Sequence, residues 1–161
     1  MLNKAIVILL TLGFAAVGTY ASSASIIKEQ ISKIEVNEEN GGKLYEVFFT
    51  VKPEFHKFFD LKHAPEGKDV AHNQRFKTLG KLFLEKLKRI VMACEDEHQL
   101  KEEIKGLKMD HDPRHVGLTE LKGAKPILMK FIEQQVGMTE EQKHAWTEMF
   151  KKFEKEYSEL H

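Results

Sequence analysis

The chain has 161 residues, enough for one domain, and its 25 Lys and Arg balance 25 Asp and Glu. That neutrality excludes the basic stripe expected of a nucleic-acid or anionic-surface binder. One cysteine, Cys94, excludes an internal disulfide, and there is no internal repeat or low-complexity segment.

The N-terminus reads as separate from the fold. Lys4 precedes an apolar run, Ala5 to Val17, followed by the small and polar residues Gly18 to Ala24. This order is that of a secretory signal peptide occupying residues 1–21, with cleavage between 21 and 24. An uncleaved anchor is the competing reading, disfavoured because the later part of the run is too polar for a span. After cleavage no membrane association is expected, and the protein is expected outside the cell.

The rest of the chain reads as helix. Ile27, Ile31 and Ile34 share one face of a first helix, about Ser25 to Ile34. Asn37 is placed to cap a second, with Glu38 and Glu39 at its positive end and Leu44, Tyr45, Phe48 and Phe49 along it. An aromatic turn from Pro53 to Phe59 follows, then a loop from His63 to Lys68. A long helix is expected from Ala71 to Glu95, striped by Phe76, Leu79, Phe83, Leu87, Ile90 and Cys94. On that stripe Cys94 reads as a buried small apolar residue. Gly80 costs that helix about 1 kcal/mol relative to alanine, so a close backbone neighbour is expected, with Gly41 as its partner.

Leu100, Ile104, Leu107 and His111 then form a stripe that Pro113 stops. A lone imidazole so placed is either hydrogen-bonded in the core or ligating a metal. A zinc pair with His115 is disfavoured, because Pro113 interrupts the helix that would bring both rings to one face. A further helix, Thr119 to Val136, contains Pro126 and ends at Gly137. Thr139-Glu140-Glu141-Gln142 is a capping box opening the last helix, striped by Trp146, Met149, Phe153, Tyr157 and Leu160. The class is all-α.

These segments together resemble a globin, in particular the extracellular globins of nematodes. Leu44 to Phe49 followed by Pro53 is similar to the family's second helix and the proline after it. Phe59 matches its haem-stacking phenylalanine. Phe76-Lys77-Thr78-Leu79-Gly80 is similar to the distal helix, with Leu79 at the distal position. Leu107 and His111-Asp112-Pro113-Arg114-His115-Val116 resemble the proximal segment. Ala145-Trp146 and Phe150 to Tyr157 resemble the last helix. The resemblance implies a globin domain over residues 25–161, with six to eight helices enclosing haem b.

It also implies roles. His111 is the proximal iron ligand, its other ring N–H donating to a carbonyl one turn back. Phe48, Phe55, Phe59, Phe76, Leu79, Phe83, Leu107, Val116 and Leu121 line the haem, and Arg114 and His115 stand beside its propionates. Tyr45 donates a hydrogen bond to oxygen, while Leu79 keeps the pocket dry. Two departures bear on ligand affinity: leucine at 79, where most globins have histidine and many nematode globins glutamine, and the bulky Phe83. The implied function is reversible oxygen binding, with CO and NO as further ligands, by a monomer or homodimer. A haem enzyme acting on nitric oxide or peroxide is the alternative. A peroxidase needs a distal acid–base group, which Leu79 does not supply. A haem carrier or sensor is the third reading, although the chain has no room for an output domain.

Overall fold

The computed structural model describes residues 22–160, so the segment read as a signal peptide lies outside the described residues. Seven α-helices and two 3-10 segments make up the fold, with no strand among the described residues. The helices are α1 (Ser23–Ser32), α2 (Glu38–Val51), α3 (Gly67–His72), α4 (Gln74–Met92), α5 (Glu97–His111), α6 (Leu118–Val136) and α7 (Glu140–Ser158). The 3-10 segments are Pro53–Phe59 and Asp112–Arg114. No described helix is long and apolar enough to cross a membrane.

Short-range capping decides where the helices begin. Asn37 Oδ1 accepts from the Asn40 N–H at 2.8 Å, and Thr139 and Gln142 bond reciprocally at 3.2 and 2.9 Å. The expected long helix from Ala71 is in fact two. Asn73 is extended, its N–H ends α3 on the Val70 carbonyl, and its side chain accepts from the Arg75 N–H at 2.9 Å to start α4. An asparagine that offers the backbone such a local bond breaks a helix that apolar periodicity alone would continue. The expected loop is correspondingly shorter, because α3 already begins at Gly67, and α4 ends at Met92, before Glu95. At the end of α6, Gly137 turns the chain with φ +73°, a conformation costly for any residue with a Cβ.

The core is one apolar cluster to which each α-helix contributes. Ile27 and Ile31 are buried on α1, whereas Ile34, expected on the same helix, is buried just past its end at Ser32; Cys94 is a buried free thiol whose ionisation burial pushes up. Helix α1 packs on α7, and α2 lies against α3, α4 and α6. The α2–α4 crossing is backbone on backbone. A Cβ on Gly80 would overlap the Gly41 backbone, and one on Gly41 would overlap Lys77 and Gly80–Lys81.

One buried polar network closes the two ends of the fold. Gln30, on α1, donates through Nε2 to the Gly137 carbonyl at 2.6 Å and to Gln142 Oε1 at 3.2 Å. Its Oε1 accepts from Trp146 Nε1 at 2.8 Å. A buried amide and a buried indole each need such partners. Gln30 carried no sign of this in the sequence, since its partners lie more than one hundred positions away.

Because neither backbone can retreat at the crossing, Gly80→Ala is expected to lower stability by about 1–3 kcal/mol or more. Urea unfolding checks this, and an unchanged midpoint would contradict the close approach.

Candidate functional site

Helices α4 and α5 reach the same cavity by two different stripes. On α4, Leu79 and Phe83 are half-buried rather than sealed in the core, because their outer faces border open space. On α5 the buried Leu100 and Ile104 give way, one turn further on, to half-buried Leu107 and His111. Between them lies a cavity of about 510 Å³. That is within the roughly 300–1,000 Å³ of cofactor and ligand pockets. Tyr45 from α2, Leu121 and Leu128 from α6, and Trp146 and Phe150 from α7 complete its apolar wall.

His111 is held for use rather than for packing. Its Nδ1 is 2.8 Å from the Leu107 carbonyl, the acceptor one turn back. That carbonyl can only accept, so Nδ1 carries a proton, and in the tautomer this selects Nε2 is the nitrogen free to bind a metal. No other group among the described residues bonds the ring. The 3-10 segment Asp112–Arg114 ends α5 immediately after it, and Lys108 pairs with Asp112 at 2.7 Å across the last turn. His115 lies beyond, exposed and in the left-handed conformation at φ 56°. The chain has therefore left the α-helix before His115, and the two rings do not share a helix face. No group of three or more potential metal-binding side chains occurs among the described residues.

Tyr45 is the polar group on the α2 side. Only 6% of it is exposed, and its hydroxyl has no hydrogen-bond partner among the described residues. Burial pushes its ionisation well above the ordinary tyrosine value, with the Arg114 and Arg75 charges opposing more weakly. The phenol therefore stays a proton donor at any physiological pH.

Of the residues expected around the cavity, Tyr45, Leu79, Phe83, Leu107, His111, Arg114 and Leu121 line it. Phe48, Phe55, Phe59, Phe76, His115 and Val116 do not. Phe48, Phe59 and Phe76 pack on the Tyr45 ring instead, and Phe55 packs on Phe48 and Phe58. His115 stands in solvent. Arg114 is thus the residue of the expected polar pair that borders the cavity. Met149 and Phe150, which the stripe of the last helix gives only as core, form the cavity's far wall. Their stripe is indistinguishable from plain packing until α7 is docked.

Comparison with known proteins agrees with this geometry. The globin family profile matches residues 42–157. The chain belongs to the globin family. A solved structure of the globin-like protein GLB-1 from C. elegans has the same fold, with a TM-score of 0.77. The two share 19% sequence identity over 84% of this chain and 89% of that one. No curated protein sequence matches significantly.

The donor set suits the group that globins carry. An imidazole with one nitrogen tethered and the other free, on a mostly apolar cavity bordered by Arg114, is suited to hold haem.

The Tyr45 phenol also makes a prediction about alkaline stability. Above about pH 10 the unfolded chain loses this proton while the folded chain keeps it. The unfolded state then binds fewer protons, so stability falls as pH rises, by up to about 1.4 kcal/mol per unit from this group. Urea midpoints between about pH 9 and about pH 11 should therefore fall further in the native protein than in Tyr45→Phe. Parallel curves would mean that Tyr45 titrates normally in the fold.

Proposed function

We propose that this globin is a secreted haemoglobin that binds oxygen reversibly, for storage or transport, with His111 as proximal ligand and Tyr45 as distal hydrogen-bond donor. The observation that carries the reading is one apolar cavity bordered both by an imidazole whose second nitrogen is free and by a phenol whose hydroxyl is unpartnered among the described residues. Haem b, when bound, supplies a ferrous iron that takes up oxygen, and also CO and NO.

The protein's own groups then set how long the gas stays. The Leu107 carbonyl holds the His111 ring in one tautomer and orientation. Tyr45 donates a hydrogen bond to the gas, and its burial keeps it protonated for that purpose. Such a bond to a partly charged acceptor is worth roughly 1–3 kcal/mol, and 1.4 kcal/mol is about tenfold in affinity. Leu79 and Phe83 offer no group that could accept or relay a proton, so they limit water and acid near the ligand. Arg114 and Lys125 at the rim supply positive charge for the propionates, while Lys122 is paired with Glu154.

This set favours holding a gas over converting it. Peroxide chemistry needs a proton acceptor on the distal side; Leu79 has none, and Tyr45 does not release its proton. Secretion rests on the Lys4 to Ala24 pattern alone.

His111→Ala is expected to remove most haem retention, seen as loss of the Soret band in the purified protein; full pigment content would overturn the assignment. Tyr45→Phe is expected to speed oxygen release by about tenfold or more, measured by stopped flow. An unchanged rate would remove Tyr45 from the function.

A further inference from the structure

A buried hydroxyl is usually aimed by its hydrogen-bond partner. Tyr45 has none among the described residues, and its phenol oxygen lies on the axis of the outer torsion, so the inner torsion and the groups the ring rests against set where it points. Something else must hold the phenol toward the cavity. Four phenylalanine rings surround it, with centroids 5.2 to 6.0 Å away. Phe48 and Phe49 ride on α2 with Tyr45 and cannot fix it relative to the rest of the site. Phe59 and Phe76 come from elsewhere. Phe59 meets the phenol edge-on, at 5.5 Å and 88°, from the 3-10 segment. Phe76 lies 5.2 Å away on α4, the helix that also carries Leu79.

The two outside rings are themselves tied together. Their centroids are 5.9 Å apart. Arg75 donates from Nη2 to the Phe59 carbonyl at 3.0 Å, and its guanidinium lies 5.7 Å from the Phe76 ring centre. Neither phenylalanine borders the cavity.

We infer that Phe59 and Phe76, clamped by Arg75, are positioning residues that aim the Tyr45 hydroxyl into the cavity by aromatic packing alone. This rests on the reading of Tyr45 as distal donor. It makes the strength of the distal hydrogen bond a property of ring packing between α2, α4 and the 3-10 segment.

The test is Phe76→Leu in the haem-loaded protein, alone and combined with Tyr45→Phe. Oxygen release should accelerate about three- to tenfold, as a donor that wanders loses part of its bond. Carbon monoxide carries little negative charge on its outer oxygen, so its release should hardly change. In the Tyr45→Phe background the leucine should add nothing to the oxygen rate. Equal acceleration of both gases, or the same acceleration without the phenol, would overturn the inference. Arg75→Gln, at an exposed position, serves where Phe76→Leu does not fold. It frees the Phe59 carbonyl and should give the same split between the gases, whereas unchanged rates count against the clamp.

A second readout does not depend on gas kinetics. With ring-labelled tyrosine in the carbon monoxide form, NMR should show slow flipping of the Tyr45 ring in the native protein and fast flipping in Phe76→Leu. Equal flipping rates would overturn the cage. If Tyr45→Phe alone leaves oxygen release unchanged, the donor reading fails instead, and the ring-flip comparison still judges the packing.

Discussion

Two helices that touch without side chains organise the site. At Gly41 and Gly80 the α2 and α4 backbones meet with no room for a methyl group on either. Tyr45 is one helical turn beyond Gly41, and Leu79 is next to Gly80. The crossing therefore brings the Tyr45 phenol and the apolar Leu79 to the same cavity edge. A wider crossing would draw the phenol away from Leu79 and Phe83 and loosen its contact with Phe76.

The opposite wall is built on a different principle. Where the α2–α4 contact depends on the absence of side chains, α5 depends on where its helix stops. Its apolar stripe is sealed at Leu100 and Ile104 and opens at Leu107 and His111. Pro113 ends the helix just after the histidine, whose Nδ1 bonds the Leu107 carbonyl one turn back. One bond at 2.8 Å thereby decides the tautomer, the ring orientation and the free nitrogen.

The polar groups divide between holding the fold and serving the cavity. Gln30 and Trp146 satisfy each other and join α1 to α7. Tyr45 is the contrasting case: its ring is buried, while its hydroxyl opens on the cavity and has no hydrogen-bond partner among the described residues.

What the sequence by itself determined was local: the all-α class, the caps at Asn37 and Thr139, the stop at Pro113, and the special placement of His111. The expected contact of Gly80 with Gly41 also held, because a glycine inside a helix calls for a close neighbour. These follow from helical period and from bonds spanning three or four residues. Tertiary structure decided the rest. It split the long helix at Asn73, where a side-chain cap outweighed apolar periodicity, and it paired Gln30 with partners at the other end of the chain. It also packed Phe59 and Phe76 on the Tyr45 ring. An apolar stripe says that a ring is buried; only the docking of α2, α4 and α7 says whether it meets another ring or open space, since that choice is made by contacts between segments that share no local period.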